Sequence, residues 1–420
     1  MKYESRLPTV HESVISERFA CLYPKLAAVQ ALFPSEWHSC IFLVGGSVRD
    51  SLLDLSAKDL DLLAAVSEEI LKQHGFRRVR GKTTEPIWFR HDTQLGTIEL
   101  TRLESVDELK ANLQHRDFTI NAMAMGLDGR LFDPLNAQQD LQQRTIKMCS
   151  AHAFRHDPLR IIRAFRFAAD GWQISNEATH LIRSLDWSHE LAVLPVERFS
   201  REMIKALGSS KPCRFFELLI SLGIGGHWLP ELFRMPEIPA GPLQHHPEGD
   251  LLAHSLQVLQ RTAAVSDDPL TRFCAFFHDI GKLSTDPALY PKHHGHDAAG
   301  FKPAQSFCAR LALPALWGKA LAWTSRLHTT LNRWAELRDG TKLKIAGQAK
   351  KAGIAEILPI VSAADKPGNS ISADWRQALV LAAMNSEQLA VDQNRLMTMP
   401  AEQRSGLILQ KRIEQYRSRS

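Results

Sequence analysis

A pair of glycines and a pair of aspartates in the first part of the chain could together carry phosphoryl chemistry. Gly45-Gly46 follows the apolar run 41–44, and Asp59 and Asp61 stand two positions apart further on. On a strand, this spacing directs both carboxylates to one face, where they repel unless a cation lies between them. Backbone N–H groups at a glycine turn that opens a helix can bind phosphate. Because Mg²⁺ prefers oxygen ligands, the pattern predicts metal-assisted phosphoryl or nucleotidyl transfer.

Three strands and one helix are predicted to position these groups. Apolar and alternating segments predict strands at 41–44, 59–63 and 97–101, and a helix fits 48–55. Glu99 lies on the third strand, where its carboxylate could complete the metal ligation. This β-α-β-β order predicts an α/β head. Without the glycine turn, the strand at 59–63 could equally be an edge strand whose aspartates are exposed to solvent.

After the head, the chain becomes helical. Segments 158–169, 196–207 and 212–222 carry apolar residues at helical spacing and little strand signal. Pro and Gly are concentrated at 236–249, which predicts an irregular domain-entry loop. Segment 375–397 is expected to form one helix.

A second group of residues has the side chains of a transition-metal site. His254, His278-Asp279 and Asp365 offer imidazole and carboxylate ligands, which suit a borderline divalent cation. An open coordination position would hold a hydrolytic water. The order resembles the H…HD…D pattern of the HD superfamily, and the Gly-Lys dipeptide after the HD pair makes the match more specific. On its own, His254 would more often be an ordinary core or surface histidine.

Five ordered blocks resemble the motifs of class II tRNA nucleotidyltransferases and bacterial poly(A) polymerases. They are the glycine turn through Val48-Arg49-Asp50 with the two aspartates, then 115–122, 129–134 with 140–141, 157–168 and 197–205. His115 replaces the first Arg of the R-R-D block, and His156 stands where many members have Glu. The resemblance implies a polymerase β-like α/β nucleotidyltransferase head, an all-α neck and body, an all-α HD domain, and template-independent addition of nucleotides to the 3′ end of tRNA.

The resemblance also assigns roles within the head and neck. Asp157 and Arg160, an acceptor and a planar donor three residues apart on a helix, would share a face and select the base of CTP or ATP. Outside the family such a pair would more often be an intrahelical ion pair. The expected nucleotide-binding residues are Gly45, Gly46, Arg49, Arg116, Asp117, Asn121, Asp157, Arg160 and Arg163, and the expected catalytic carboxylates are Asp59, Asp61 and Glu99.

The resemblance implies that Asp59 and Asp61 bind Mg²⁺ in the head. The roles of three arginines have alternatives. Arg49 could equally tie the glycine turn to Asp50, and Arg163 and Arg166 could serve either phosphate binding or the structure of the neck.

The resemblance continues into the HD-like segment. Residues 292–297 read K-H-H-G-H-D, where proteobacterial-type tRNA nucleotidyltransferases have H-H-G-H-E. In such relatives this domain is associated with phosphatase and 2′,3′-cyclic phosphodiesterase activity. We therefore expect His254, His278, Asp279 and Asp365 to bind a divalent transition metal or Mg²⁺. A degenerate, structural HD domain is the alternative.

Nucleotide specificity is predicted from the segment between Arg102 and Arg116. Family members that add complete CCA, or A alone, usually carry a longer flexible loop there, and CC-adding members have a truncated one. In this chain the segment is short. The prediction is a CC-adding enzyme that uses CTP. The alternatives are a complete CCA-adding enzyme that uses CTP and ATP, a poly(A) polymerase, and an RNA-binding protein with an inactive head.

Length and charge agree with several globular domains and a polyanionic partner. The 420 residues are 44% hydrophobic, and we expect a head at 1–140, a neck and body at 141–235, an HD domain at 236–370 and a C-terminal helical segment at 371–420. The net charge is +5, and 141–214 holds twelve Lys/Arg against seven Asp/Glu. We expect tRNA to bind there, although solvated helical faces would give the same excess.

The sequence also predicts the cellular setting. No apolar run approaches the roughly 20 residues of a membrane span, and the first residues do not resemble a signal peptide. The 6 cysteines contain no C-x-x-C pair, which favours free thiols. We therefore expect a cytoplasmic protein without membrane partners.

Overall fold

The computed structural model describes residues 23–55, 60–79, 86–368 and 373–419. The chain divides into two compact units. The first comprises residues up to 164 together with 172–185, and the second comprises 165–171 and the residues from 186 onward. The first unit contains a mixed β-sheet, whereas the described part of the second consists of helices and their connections.

A seven-stranded sheet forms the centre of the first unit. Its strands are β1 (Ile41–Val44), β2 (Leu60–Ala64), β3 (Arg77–Val79), β4 (Ile87–Asp92), β5 (Gly96–Arg102), β6 (Ala124–Gly126) and β7 (Leu131–Phe132). The spatial order is β3-β4-β5-β2-β1-β6-β7, with β2 parallel to β5 and the other neighbours antiparallel. Strands β8 (Thr145–Ile146) and β9 (Gln173–Ile174) form a separate parallel pair.

Helices make up much of the described part of the chain. In order they are α1 (Tyr23–Gln30), α2 (Gly46–Leu52), α3 (Glu68–Gln73), α4 (Glu108–Gln114), α5 (Ala137–Gln142), α6 (Ala153–His156), α7 (Leu159–Ala169), α8 (Asn176–Ser184), α9 (Ser188–Ala192), α10 (Val196–Leu207), α11 (Cys213–Leu222), α12 (Pro230–Arg234), α13 (Leu251–Ala263), α14 (Pro269–Phe277), α15 (His296–Ala299), α16 (Phe301–Arg310), α17 (Ala315–Leu331), α18 (Asp339–Ala352), α19 (Ile357–Asp365), α20 (Ala373–Ala383), α21 (Gln393–Thr398) and α22 (Ala401–Arg419). The predicted helices at 158–169, 196–207 and 212–222 are confirmed as α7, α10 and α11.

The core of the first unit explains why β1 is apolar throughout. All four of its side chains are buried, and Phe42 and Val44 pack with Leu109 and Leu113 of α4. Trp88 of β4 is fully buried. Burial of such side chains stabilises the fold by about 1.5–3 kcal/mol each. Burial of its side chains therefore fixes β1, the strand that ends at the glycine turn.

The predicted β-α-β-β order of the head is wrong, because the strand predicted at 97–101 is the fifth strand in chain order, β5. Helix α3 and strands β3 and β4 precede it. β3 is exposed along its whole length and β4 ends in Arg-His-Asp, so neither has the apolar alternation of a half-buried strand. The helix predicted at 48–55 spans Gly46–Leu52. It ends before 55 because Asp54 adopts a φ of 58° in the turn that follows.

The predicted single helix at 375–397 is also wrong. The structure has α20 and α21, separated by a turn. In that turn the Asn385 side chain accepts a hydrogen bond from the Gln388 backbone N–H, and the Gln388 side chain accepts one from the Asn385 N–H. Local bonds of this kind compete with helix propagation. The irregular loop predicted at 236–249 is confirmed, apart from a short 3₁₀ turn at Met235–Glu237.

One buried arginine ties three segments of the second unit together. Arg272 of α14 is 2% exposed. Its guanidinium donates to the carbonyls of Leu207, Ser209, Ala263 and Ser266 and to the carboxylate of Asp267. The first two carbonyls lie at the end of α10 and the third at the end of α13, where helix carbonyls lack intrahelical partners. Arg272 therefore caps two helices at once.

Candidate active sites

The glycine turn, an aspartate and an arginine converge at the end of β1. Gly45 has a φ of 73° and a ψ of −134°, which a residue with a Cβ rarely adopts. A Cβ added at Gly45 would lie 2.8 Å from Nη1 of Arg116 and 3.5 Å from Oδ2 of Asp61. The absence of a side chain at this position thus leaves room for two charged groups beside the backbone that opens α2.

The carboxylates expected to bind Mg²⁺ lie on neighbouring strands. Asp61 of β2 stands opposite Glu99 of β5 in the parallel register, and both are half-buried. Side chains paired in this way lie on the same face of the sheet, so the two carboxylates offer the hard oxygen ligands that Mg²⁺ prefers. Burial lowers the pKa of Arg116, and the charges of Asp61 and Asp117 oppose that shift. Asp59 lies outside the described residues.

A continuous hydrogen-bond network connects four of the expected nucleotide-binding residues. Asp117 accepts two bonds from Arg163, with Nε at 2.8 Å and Nη2 at 2.6 Å from Oδ2. Its other oxygen accepts from the Asn121 side chain at 2.9 Å. Asn121 in turn accepts from Arg49 at 2.5 Å, and Arg49 also pairs with Asp50.

This network decides the protonation state of Asp117. Burial alone would raise the pKa of its carboxyl, but Arg163 and Asn121 lower the pKa below its usual value. The carboxylate is therefore held ionised and in one orientation. Arg49 donates to Asp50, the partner expected for a structural role, and also to Asn121 of the 115–122 block. Arg166 pairs with the buried Glu202 of α10 at 2.7 Å, as a structural residue of the neck would.

Asp157 and Arg160 are not arranged as expected. Asp157 precedes α7 with extended backbone, φ −149° and ψ 99°, and its carboxylate accepts from the Leu159 N–H. Pro158 causes this, because proline disfavours helical conformation in the residue before it. Asp157 therefore precedes α7 and does not lie on the helix as expected, and the role of the pair in base selection stays a prediction. Arg160 lies in the first turn of α7 and donates to the carbonyls of His115, Arg116 and Ala153.

The two positions at which the head and neck blocks depart from the family motifs, His115 and His156, lie next to each other. The rings of His115 and His156 are stacked, with centroids 6.1 Å apart and planes inclined by 10°. His152 continues the stack at 6.3 Å from His156. Because the His115 carbonyl accepts from Arg160 at 2.6 Å, this histidine stack borders the residues assigned to base selection.

The HD residues form a buried cluster in the second unit. His254 comes from α13, His278-Asp279 from the end of α14, and Asp365 from the end of α19. Nε2 of His254 lies 3.1 Å from Oδ1 of Asp365, and Nε2 of His278 lies 3.2 Å from Oδ2 of Asp279. The four residues thus come from three distant segments of the chain and converge, as the sequence pattern predicts.

The orientation of these imidazoles suits a metal. Nδ1 of His278 lies 2.8 Å from the Ala275 carbonyl, and Nδ1 of His254 lies 2.7 Å from Glu248. A ring that donates from Nδ1 presents the lone pair of Nε2 to the centre of the cluster. Nε2 of His254 and of His278 have no hydrogen-bond partner among the described residues, so the ligand set fits a divalent cation.

The electrostatics of the metal-free cluster are dominated by its two carboxylates. Burial would lower the pKa of His278, but Asp279 and Asp365 raise it to about 10. The pKa values of both aspartates lie well below their usual range despite burial, chiefly because of His278. A divalent cation would take the place of the positive charge that these carboxylates otherwise draw from imidazolium.

Two further histidines contact Asp279 without having been predicted as ligands. Nε2 of His296 and Nε2 of His328 lie 3.1 and 3.2 Å from Oδ1 of Asp279. His296 belongs to the 292–297 block, whose resemblance to a family motif implied no ligand role, and His328 lies on α17 with no local pattern to mark it. The same block contributes His293 as a structural residue, since its ring contacts the Pro239 carbonyl at 2.7 Å.

Comparisons with known proteins agree with this arrangement. The family model "Poly A polymerase head domain" matches residues 41–147, "Probable RNA and SrmB- binding site of polymerase A" matches 172–235, and "HD domain" matches 251–367. The multifunctional CCA protein of Legionella pneumophila (strain Lens) is 35% identical over 329 residues, which cover 73% of this chain and 79% of the relative. That of Hahella chejuensis is 36% identical over 325 residues, covering 72% and 76%. The chain belongs to the multifunctional CCA protein family.

Solved structures show the same fold as this family member. A Thermotoga maritima CCA-adding enzyme complexed with tRNA has a TM-score of 0.64 at 17% identity and covers 96% of this chain and 93% of its own. A Bacillus stearothermophilus CCA-adding enzyme in complex with CTP has a TM-score of 0.61 at 20% identity and covers 95% and 98%. The predicted nucleotidyltransferase head, helical body and HD domain are confirmed, and the chain is an RNA nucleotidyltransferase. No helix among the described residues is long and apolar enough to cross a membrane.

Proposed function

We propose that this protein adds C residues from CTP to the 3′ end of tRNA without a nucleic-acid template. The convergence of Gly45, Asp61 and Arg116 carries the proposal. A Cβ added at Gly45 would lie 2.8 Å from Nη1 of Arg116 and 3.5 Å from Oδ2 of Asp61, so the turn proposed to bind phosphate lies beside the carboxylate proposed to bind metal and beside a cation. We also propose a tRNA acceptor, because one structural neighbour is a CCA-adding enzyme complexed with tRNA, and we propose a cytoplasmic location. The basic residues of 141–235 are proposed to bind that tRNA and select the nucleotide.

The chain's own groups have defined tasks in this reaction. The terminal 3′ oxygen of tRNA attacks the α-phosphorus of CTP, the new P–O bond forms as the bond to pyrophosphate breaks, and the 3′-hydroxyl proton passes to solvent. Mg²⁺ held by Asp59, Asp61 and Glu99 would promote loss of that proton and neutralise the leaving pyrophosphate. Arg116 and the backbone at Gly45 would bind the triphosphate. The ionised Asp117 holds Asn121, and through it Arg49, in place beside this site.

The limit to C addition rests on the connection between β5 and α4. Strand β5 ends at Arg102 and α4 begins at Glu108. The short connection is closed by an ion pair between Arg102 and Glu104 and by a 2.9 Å bond from the Glu104 N–H to the Glu108 carboxylate. A segment this short and internally bonded does not provide the long flexible loop that accompanies A addition in the family. We therefore propose a CC-adding enzyme.

Single-nucleotide assays on defined primers test this specificity. Purified full-length protein would receive tRNA ending at the discriminator base with CTP alone, and tRNA ending in CC with ATP alone. We expect two C additions in the first reaction and none in the second. Efficient A addition to tRNA-CC would overturn the CC restriction in favour of complete CCA addition, and long A tails on unrelated RNA would favour a poly(A) polymerase.

A variant of the proposed metal ligand tests the catalytic assignment. Asp61→Asn should lower C incorporation by at least about 100-fold, because a metal-bound charge contributes several kcal/mol to transition-state stabilisation. Glu69→Gln is the matched control, since Glu69 is an exposed carboxylate of the same unit. Incorporation that survives in Asp61→Asn at the level of the control would instead indicate an RNA-binding protein whose head does not catalyse.

We propose a second activity, metal-dependent phosphohydrolysis, for the HD cluster. The orphaned Nε2 atoms of His254 and His278 beside two carboxylates support it. Substrates of this site would be phosphomonoesters or 2′,3′-cyclic phosphates at RNA ends. Asp279→Asn should abolish hydrolysis of 2′,3′-cAMP measured with Mn²⁺, Co²⁺ or Ni²⁺ while leaving C addition intact. Absence of hydrolysis by the wild-type protein with each of these metals would indicate a structural HD domain.

A further inference from the structure

The histidine stack of His115, His156 and His152 lies at the surface of the first unit. The His115 and His156 rings are inclined by 10° with centroids 6.1 Å apart, and the His152 ring follows at 6.3 Å from His156 with an inclination of 27°. Centroids at this separation are typical of offset stacking, which leaves part of each ring face uncovered. All three residues are exposed. The stack therefore presents aromatic faces to solvent and is not part of the core.

Two helices hold these rings in a row. His156 is the last residue of α6 and His152 is the residue before that helix, so the two side chains lie one helical turn apart on the same side. The His156 N–H donates to the His152 carbonyl at 3.0 Å. Phe154, between them, is fully buried and anchors α6. His115 follows α4, where its Nδ1 lies 2.7 Å from the Ala111 carbonyl.

The stack adjoins the residues proposed to bind the nucleotide. The His115 carbonyl accepts from Nη2 of Arg160 at 2.6 Å, and His156 directly precedes Asp157. The residue after His115 is Arg116, whose guanidinium lies beside the glycine turn. The stack is thus one residue along the chain from a group that would bind the triphosphate and one residue from a group that would select its base.

The charge around the stack suits a polyanion. Segments 110–116 and 151–156, which carry the three histidines, contain Lys110, Arg116 and Arg155 and no Asp or Glu. His156 stands where many members of the family have Glu. A carboxylate at this position would repel the phosphates of an approaching RNA strand, whereas an imidazole offers a face on which an unpaired base can stack.

We propose that the histidine stack binds the 3′-terminal base of the RNA primer by stacking. The inference deepens the nucleotide addition proposed above and rests on it. The 3′ oxygen of the primer must reach the α-phosphorus of CTP, so the terminal base of the primer lies next to the base of CTP during the reaction. Asp157 and Arg160 are assigned to the base of CTP, which leaves the neighbouring imidazole faces for the primer. Because every base has an aromatic face, such a surface accepts any discriminator base as well as a newly added C.

Steady-state kinetics of the full-length protein separate primer binding from CTP binding. With tRNA lacking CCA as the primer, His156→Ala and His152→Ala should each raise the KM for tRNA about 5- to 30-fold, which is the effect of losing one base-stacking contact. The kcat and the KM for CTP should keep their wild-type values. His156→Phe keeps an aromatic face and should restore the KM for tRNA. His91→Ala is the matched control, because His91 is an exposed histidine of the same unit.

Photocross-linking gives a readout that does not depend on catalysis. A tRNA primer whose terminal residue is 5-iodocytidine would be irradiated with the protein in the absence of CTP, and the cross-linked peptides would be identified by mass spectrometry. We expect cross-links to peptides that contain His115, His152 or His156, and their loss when both His152 and His156 are replaced by alanine.

The outcomes distinguish this inference from the function on which it rests. If the wild type adds C but the alanine variants keep the wild-type KM for tRNA, or if cross-links form only with other segments, the stacking proposal is overturned. A raised KM for CTP with an unchanged KM for tRNA would assign the stack to the incoming nucleotide and would also overturn it. Wild-type protein that adds no nucleotide would refute the proposed function and this inference with it.

Discussion

Replacing Arg163 by methionine should loosen the head around Asp117. Arg163 contributes two short hydrogen bonds to one oxygen of a carboxylate whose side chain is 9% exposed. Leaving a buried charge without its partner costs roughly 3–5 kcal/mol. Arg163 itself is 31% exposed, so water can replace part of the lost interaction, and we reduce the expected cost to about 2 kcal/mol.

Hydrogen exchange followed by mass spectrometry measures this cost in the full-length protein. A loss of about 2 kcal/mol corresponds to roughly 30-fold faster exchange in peptides that contain β1 and β6, if exchange requires opening of the sheet. Arg130→Met is the matched control, because Arg130 is 81% exposed in its ion pair with Asp128 and should contribute at most about 0.5 kcal/mol.

The pH dependence of the Arg163→Met effect has a defined sign. The folded state holds the pKa of Asp117 below its ordinary value of 3.8, so the ion pair stabilises the protein above that pH and its contribution is lost as the pH falls through the folded pKa. The difference between wild type and variant should therefore shrink in acid. Equal protection of the two proteins at pH 7 would refute the account of Asp117 as a carboxylate fixed by Arg163.

Three further predictions concern thiol reactivity, capping and the histidine stack. Burial, aided by Asp117, raises the pKa of Cys149 to about 12, so at pH 8 it should react with iodoacetamide roughly 1,000-fold more slowly than a thiol of pKa 9.0; labelling as fast as in unfolded protein would contradict this. Arg272→Met leaves several helix-end carbonyls unbonded and should cost at least about 3 kcal/mol, seen as a fall in Tm of roughly 6 °C or more, and a shift below about 2 °C would be inconsistent with it. His156→Glu should raise the KM for CTP, because it places a carboxylate beside Asp157. The double variant His156→Glu with His115→Arg should recover the wild-type KM through a new ion pair between the two side chains. Additive effects of the two substitutions would show that positions 115 and 156 are not coupled.

The sequence correctly predicted elements whose structure depends on their own pattern of apolar residues. The apolar run before the glycine turn became β1, and the apolar spacing of 196–207 became α10. The HD residues were grouped by their resemblance to the H…HD…D pattern of the HD superfamily, because His254 alone carries no local signal of a metal site.

The remaining features depend on contacts that spacing does not encode. β3 and β4 pair in the sheet although β3 is exposed along its whole length and β4 ends in Arg-His-Asp, and Trp88 is the one buried side chain of the two strands. Pro158 placed Asp157 outside α7, a local effect that the helical spacing concealed. His328 could not be found from sequence, because its relation to Asp279 arises only when α17 packs beside the HD turn.

The most direct measurement of the central claim is the 3′ sequence of product tRNA. Full-length protein would be incubated with tRNA lacking CCA in the presence of both CTP and ATP, and the product ends would be determined by sequencing. The account predicts tRNA that ends in CC even with ATP in excess. Product that ends in CCA would contradict the restriction to C addition, and unextended tRNA would contradict the nucleotidyltransferase assignment itself.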